Sequence, residues 1–430
     1  MKVSNIGIIS KKIEKVNEQF PVQDMLLQTG QLIQYGSGVY GYGHIPFLVK
    51  RKIGQVISDT LKKYGCAEVS LPLLQPEQMW LDSGRFQKYM DEKVLFRVLT
   101  KDANYCLAPT AEEAVVLFAK DKLKSYKQLP VTYFQIGEKF RNELRSRGFL
   151  LRGKSFEMMD AYSFGRDFKD LEVEYENIKK AYAEIFNILG LNVQPVGADS
   201  GAIGGSKSEE FMCLSEIGED NILFDAKSGR AFNSELLDRE DASEYLLNTY
   251  GIENLSDLSS KKAVELGHVF QIGDKYSESM GIKYIDADGV EKNYQMGCYG
   301  IGVSRTLAMV YENSARKGDK AFNGIVLPKN LSPYLIYLVP KTDDKALYAE
   351  AERIYQELLA QGVSVLFDDR DGLSIGAKAK DSTVVGTPYV AILGNSLKNG
   401  VIELEDNATG QKESVQVQEF VSYVSNLNKD

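Results

Sequence analysis

Histidine is almost missing from this chain: two residues, His44 and His268, in 430. That leaves no room for catalysis relayed through several imidazoles. Cysteine is also scarce. Cys66, Cys106, Cys213 and Cys298 lie far apart and no CxxC occurs, so neither a zinc ribbon nor a thioredoxin-like site is indicated. Reduced, packed thiols are expected instead. No apolar run approaches the ~18 residues of a membrane span. The opening "MKVSNIGIISKKIEK" lacks an apolar core of signal-peptide length, and a cytoplasmic protein is expected. An excess of positive charge is absent too. The formal net charge is −9, which argues against a non-specific coat on nucleic acid but leaves open a local basic track. No internal repeat or low-complexity tract interrupts the chain.

What is present is an ordinary globular balance, 43% hydrophobic and 26% charged residues, over a length that suits two or three domains. Residues 21–65 read as mostly helical. Apolar Leu48, Ile53, Ile57 and Leu61 recur along one face, and Gly65 acts as a stop. "CAEVSLPLLQP" reads as a strand with prolines at its end. "YCLAPTAEEAVVLFAKDKL" predicts a strand, a Pro-Thr break and a helix with Thr110 as N-cap and Glu112 and Glu113 in the first turn. "VTYFQIGEKF" and "SFEMMDAYSF" alternate as strands, and 168–190 is a helix ending at Gly190. The stretch from Phe232 to Leu266 is polar and irregular, as a short insertion would be. Near 325 the pattern resets into β-α-β-α-β, a hairpin and a last helix, an α/β domain of about 100 residues.

Chemistry concentrates in "RNELRSRGFLLRGKSFEMMDAYSF", residues 141–164, with four arginines, one lysine, two glutamates and one aspartate. If its flanks pair as an antiparallel hairpin, alternation puts Tyr133, Gln135, Arg141 and Glu143 on one face. Phe134, Ile136 and Phe140 fall on the other. Phe156, Met158, Asp160 and Tyr162 share a face on the return strand. Arginine forks suit phosphate or carboxylate, rings suit a purine, and carboxylates suit magnesium or an amine. Together they suit a nucleoside triphosphate beside a small zwitterion. A solvated charged hairpin reads equally well from this stretch alone. Two further stretches favour the site. "MGCYGIGVSR" is a strand, a glycine-rich turn and a helix with Arg305 in its first turn, and "APTAEE" offers a hydroxyl and carboxylates at a turn.

Taken together and in order, these stretches resemble a class II aminoacyl-tRNA synthetase, most closely the bacterial-type prolyl-tRNA synthetases. "LPLLQPEQMWLDSGR" looks like motif 1, "FRNE" to "FEMMDAYSF" like motif 2, and "MGCYGIGVSR" like motif 3. "APTAEE", "GADSGAIGGSKSEEF" and "GHVFQIGDKYSESMG" are similar to stretches typical of the prolyl enzymes. "LFDDRDGLSIGAKAKDSTVVGTPYVAILG" looks like their anticodon-binding domain. The resemblance spans about residues 20–425. It implies an α+β fold. Residues 1–328 would be a catalytic domain with an antiparallel sheet flanked by helices, including a short insertion at about 232–266. Residues 329–430 would be an α/β anticodon-binding domain. The implied reaction joins L-proline and ATP into prolyl-adenylate and passes the prolyl group to tRNA(Pro). A homodimer is implied as well.

The resemblance also implies roles. Arg141 would bridge the proline carboxylate and the α-phosphate, and Glu143 would meet the adenine amino group. Arg152 and Arg305 would hold the outer phosphates, with Phe156 stacked on adenine. Thr110 and Glu112 would receive the proline amine. Met158, Asp160, Tyr162, His268 and Phe270 would shape the ring pocket. Magnesium is expected with ATP, with Glu265 as a magnesium or nucleotide contact, and no zinc. Asp368, Asp369, Arg370, Lys378 and Asp381 are candidate anticodon contacts, or an ordinary charged loop. The chain departs from many relatives in having only about 35 residues where a large editing domain sits, too few for an independent fold. Mischarging with alanine or cysteine, corrected by a separate protein, is therefore expected. Ser155 and Glu157 also depart from the family pattern at the end of the motif 2 loop. Another class II ligase and a non-catalytic paralogue are the competing readings; retention of both Arg141 and Arg305 speaks against the second.

Overall fold

The strands expected on either side of the arginine-rich stretch form and pair. The computed structural model describes residues 1–8, 16–199, 201, 203–225, 229–252, 254–316 and 324–428. Its residues group into two units. Residues 36–39 and 53–306 form one; 1–35, 40–52 and 307–430 form the other.

In the first unit, helix α1 (Glu112–Lys120) precedes strands β1 (Val131–Phe140) and β2 (Ser155–Gly165), and helix α2 (Phe168–Ile188) follows them. Strands β3 (Leu258–Gly273) and β4 (Gln295–Gly302) complete the centre of a nine-stranded sheet in the order β3-β4-β2-β1, all antiparallel. Ala67–Glu68 adds a parallel edge to β1, and four shorter strands lie beyond β3. Register sets the faces. Tyr133, Gln135 and Lys139 lie opposite Tyr162, Asp160 and Phe156 on one side. Phe134 points to the other and is fully buried. There α2 covers the sheet with Leu171, Tyr175, Ile178, Tyr182 and Ile185, all buried and spaced three or four apart. Asp167 caps α2 by accepting from the Asp170 amide, and Gly190 ends its helical stretch at φ +69°.

Three local expectations change. Residues 21–65 are not one helical stretch: strands Leu32–Gly36 and Val39–Tyr42 separate helices Pro21–Gln28 and His44–Lys63. The glycines of "YGSGVYGYG" break the helical period there. "CAEVSLPLLQP" splits into Ala67–Glu68 and Leu74–Pro76, because Pro72 cannot donate to a ladder. The segment from 232 to 266 is more ordered than its polarity implied. Helix Ala242–Tyr250 closes a small core of Phe232, Leu236, Leu246 and Ile252, with Tyr250 stacked on Phe232. From Leu258 onward that segment is already β3.

The second unit contains the expected α/β pattern. Strands β5 (Ile336–Pro340), β6 (Val365–Phe367), β7 (Tyr389–Leu393), β8 (Val401–Asp406) and β9 (Lys412–Gln416) run in the order β6-β5-β7-β8-β9. Helices α4 (Lys345–Ala360), α5 (Ile375–Val385) and α6 (Val417–Leu427) accompany them. The unit takes in more chain than 329–430. The Met1 amine donates to the Val365 carbonyl at 2.9 Å, the Gln31 amide side chain to the Val384 carbonyl at 3.0 Å, and the Ile325 amide to the Thr383 carbonyl at 2.7 Å. The C-terminal sheet and helices thus gather both the N-terminal segment and 324–328. His44 is structural here, its Nε2 lying 2.8 Å from the Tyr334 hydroxyl.

Candidate active site

A cleft opens over β2, β3 and β4. Thr110, Arg141, Glu143, Arg152, Phe156, Met158, Asp160, Tyr162, Glu265, His268, Phe270 and Arg305 all line it, so residues almost 200 positions apart in sequence share one wall. Of the expected catalytic-unit residues, only Glu112 is absent from the lining.

At one end lie the arginines. Arg141 follows the last residue of β1, its guanidinium 5.3 Å from the centre of the Phe156 ring. Its Nε donates one long bond, 3.4 Å, to the Pro109 carbonyl. Arg305, in the first turn of helix α3 (Val303–Asn313), is more firmly held. Its Nε donates to the Leu151 carbonyl at 3.0 Å, and its terminal nitrogen donates to the Glu265 carbonyl at 2.7 Å and carboxylate at 2.6 Å. Arg152 is half exposed and donates to Glu143 at 2.9 Å. Behind the cleft, a Cβ at Gly267 would sit 3.0 Å from the Tyr182 ring of α2 and 3.1 Å from the Gly300 carbonyl, so glycine lets α2 pack close against β3.

Next to Arg305 is an acidic corner. Glu265 lies 3.3 Å from His268 Nδ1, and Glu210 lies 3.7 Å from the same nitrogen. The His268 ring stacks on Phe270, and its Nε2 is hydrogen-bonded to Ser208. Burial alone would raise the Glu265 carboxyl; Arg305 and His268 outweigh it and hold it far below the ordinary carboxylate range. Glu210 goes the other way. Burial, with Glu265 adding repulsion, pushes it up to about 9 despite a hydrogen bond from Asn233. Ligand atoms of Glu210, Glu265 and His268 all lie within 4.8 Å of one another, an arrangement able to hold a cation.

The other end is a small pocket built by a chain of hydrogen bonds. The Lys139 ammonium pairs with Asp160 Oδ1 at 2.6 Å, both fully or almost fully buried. Asp160 Oδ2 accepts from Gln135 at 2.9 Å and from the Tyr162 hydroxyl at 3.0 Å. The Tyr162 oxygen in turn accepts the Ala111 amide at 2.9 Å, which fixes the turn ahead of α1. Thr110 is not the N-cap of α1; Ala111 occupies that position without a side-chain cap. The Thr110 hydroxyl instead donates to Glu112 Oε2 at 2.6 Å. Glu112 is completely buried behind Thr110, where it also takes the Cys298 thiol at 3.0 Å and Arg85 at 2.9 Å. A direct path from cleft to carboxylate is therefore closed as the side chains stand. Arg85, Lys139, Cys298, Ser208 and Glu210 were not anticipated. Arg85 carried a signal: an arginine between Trp80 and Tyr89 in "WLDSGRFQKY".

The C-terminal candidates need correction. Asp368, Lys378 and Asp381 are buried. Arg370 bonds Asp368 at 2.6 Å and Asp381 at 2.7 Å, and Lys378 donates to the Asp368 carbonyl at 3.1 Å. Their charges neutralise one another inside the domain. Asp369 is partly exposed but accepts the Ser4 hydroxyl at 2.7 Å. Of the five, Arg370 and Asp369 alone keep some exposed surface.

Residues 96–314 match the family described as tRNA synthetase class II core domain (G, H, P, S and T), and residues 334–427 match the anticodon binding domain. The fold and cleft are thus those of a class II aminoacyl-tRNA synthetase. Among curated proteins, the proline--tRNA ligase of Sulfurimonas denitrificans is 34% identical, over 98% of both chains. That of Rickettsia bellii is 35% identical over 92% of both. The chain belongs to the proline--tRNA ligase family. The Staphylococcus epidermidis member is 30% identical with full coverage of both chains, but the alignment runs to 578 positions, so that relative carries long segments this chain lacks. Among solved structures, prolyl-tRNA synthetase from Cryptosporidium parvum, complexed with L-proline and AMP, shares the fold. Its TM-score is 0.72 at 16% identity, over 99% of this chain and 77% of that one.

Proposed function

We propose that this protein is an ATP-dependent proline--tRNA ligase whose cleft performs proline activation. The observation that carries this reading is the joining, in one cleft, of Arg141 beside the Phe156 ring, Arg305 on the facing strand-to-helix turn, and the Thr110–Tyr162 pocket. The proline carboxylate attacks the α-phosphorus of ATP, the bond to the bridging oxygen breaks, and pyrophosphate leaves. Arg141 lies between pocket and cleft, where it holds carboxylate and α-phosphate together and neutralises charge as they join. Adenine rests on Phe156 with Glu143 at its edge, and Arg152 and Arg305 take the outer phosphates. In the second step the terminal ribose hydroxyl of tRNA(Pro) attacks the prolyl carbonyl and AMP departs.

The amine of proline meets the Thr110 oxygen, with Glu112 acting from behind as the acceptor that orients that hydroxyl. Met158, Tyr162, His268 and Phe270 bound the ring. Glu265 and Glu210 would offer oxygen donors to magnesium accompanying ATP, which would neutralise phosphate charge; two carboxylates that repel each other fit such a hard cation. The second unit binds the anticodon end of tRNA. Exposed Leu73, Leu74, Leu81 and Leu99 support a homodimer through that region. The segment 234–257, short of an editing domain, supports release of alanyl- or cysteinyl-tRNA for correction by a separate protein. Pyrophosphate exchange screened across all amino acids tests the whole reading. Strong exchange with proline and weaker exchange with alanine and cysteine are expected; exchange with none, in folded protein that binds ATP, would leave a non-catalytic paralogue.

A further inference from the structure

Arg85 lies outside every role assigned above, yet it is among the most enclosed cations in the unit. It is 3% exposed. Trp80, Tyr89 and Tyr276 surround its guanidinium carbon at 5.1, 4.4 and 5.2 Å. One terminal nitrogen reaches Glu112 Oε2 at 2.9 Å and Glu113 Oε1 at 3.1 Å; the other is hydrogen-bonded to the Tyr89 hydroxyl. Glu113 also takes the Ser83 hydroxyl at 2.7 Å. Two adjacent buried carboxyls thus share one cation. Buried ion pairs seldom gain over apolar packing, so stability alone is weak grounds for the arrangement.

Its geometry shows the use. Glu112 Oε2 accepts from both Arg85 and Thr110, and Oε1 accepts from the Cys298 thiol. Thr110 and Cys298 both line the cleft. Because their protons point back to Glu112, their lone pairs face the cleft. An ionised Glu112 matches that polarity: a protonated carboxyl would donate from one of its oxygens, and the Cys298 thiol or the Thr110 hydroxyl bonded there would have to turn. Burial favours the protonated form, and Arg85 with the bonds from Thr110 and Cys298 overcomes it at Glu112, while burial and the neighbouring charge prevail at Glu113.

We propose that Arg85 is a positioning residue for amino-acid recognition: held in its aromatic cage, it keeps Glu112 a fixed acceptor, so that Thr110 and Cys298 present acceptors to the substrate ammonium. This rests on the reading that the Thr110–Glu112 pocket takes the amine of proline. Lysine cannot copy Arg85, since a single ammonium lacks the planar fork and the face that stacks on rings.

The experiment is pyrophosphate exchange with full-length protein, with tetrahydrofuran-2-carboxylate as competitive inhibitor; that analogue keeps ring and carboxylate but has no ammonium. Arg85→Lys and Arg85→Met are compared with Glu112→Gln, and folding is followed by melting temperature. The expected result for Arg85→Lys is a rise in KM for proline of about 10- to 100-fold, the scale of a lost hydrogen bond to a charged group. KM for ATP and the inhibition constant of the analogue should stay as they are. Equal weakening of proline and analogue would overturn the proposal, as would an unchanged KM for proline in a folded Arg85→Lys. Loss of the fold in Arg85→Lys as well as Arg85→Met would assign Arg85 to the core and also overturn it. If Glu112→Gln leaves KM for proline unchanged, the amine-pocket reading itself fails.

Discussion

Each unit of this protein sets an arginine between two carboxylates and a tyrosine hydroxyl, and the two knots differ in where their other bonds lead. Arg370 lies with Asp368, Asp381 and Tyr337; Arg85 lies with Glu112, Glu113 and Tyr89. The Asp368 carboxylate is taken by Arg370 and the Tyr337 hydroxyl, both within the domain. The Glu112 carboxylate is taken partly by Thr110 and Cys298, which line a cleft. A buried charge network is thus no mark of function by itself. What separates the two is whether a group facing a cavity donates into the network. In the first unit charge is conveyed outward to where a ligand fits; in the second the Asp368 carboxylate is taken up by groups within the unit and serves the fold.

The comparison is tested most severely at the mouth of the cleft, outside either knot. The Arg141 side chain makes a single long hydrogen bond among the described residues, so its replacement should cost little stability. Arg141→Ala should nevertheless lower proline-dependent pyrophosphate exchange by about 100- to 1000-fold, the effect of losing a donor aimed at developing charge. Retained exchange would place the reacting phosphate elsewhere. The second test is Asp368→Asn. Removing one partner from a closed, buried knot should destabilise the C-terminal unit by about 3–5 kcal/mol, read as an early denaturant transition. Exchange requires no tRNA, so it should stay within about twofold of the parent below that transition. A collapse of exchange would show that the second knot also reports to the cleft, and the distinction would fall.

Much of this was legible from sequence because it depends on period. The alternation in "VTYFQIGEKF" and "SFEMMDAYSF" put Gln135, Asp160 and Tyr162 on one face, and the register bears that out. The order of strands and helices after residue 325 was readable for the same reason. The knots were not. Asp368, Lys378 and Asp381 look like a solvated charged loop in "FDDRDGLSIGAKAKD", since no local pattern says that a carboxylate near a strand end turns inward to meet α5. Arg85 and Cys298 are 213 positions apart and meet only through Glu112, so their pairing appears only when α1 is set against β4. Thr110 before two glutamates satisfied the pattern for an N-cap, whose oxygen accepts a backbone amide; instead its hydroxyl donates to Glu112 and Ala111 holds the cap position. Unit membership was also hidden, because the N-terminal segment joins the C-terminal unit through backbone bonds and scattered side-chain bonds such as Ser4 to Asp369 and Gln31 to Val384, which form no local pattern.

Smaller effects should sharpen the contrast inside the cleft. Tyr162→Phe removes the hydroxyl that accepts the Ala111 amide and donates to Asp160, leaving a buried donor unpaired. A cost of about 1–3 kcal/mol is expected for that group, divided between stability and a roughly 5- to 50-fold rise in KM for proline, with KM for ATP unchanged. Phe156→Leu should do the reverse. The ring lies beside Arg141 on the cleft wall, outside the hydrogen-bonded chain that shapes the amine pocket. Leucine retains most of the apolar surface but loses stacking, worth about 0.5–1.5 kcal/mol for an aromatic pair. KM for ATP should therefore rise about two- to tenfold while KM for proline holds. If Phe156→Leu instead weakens proline and spares ATP, the base lies against another wall, and the two ends of the cleft have been assigned in the wrong order.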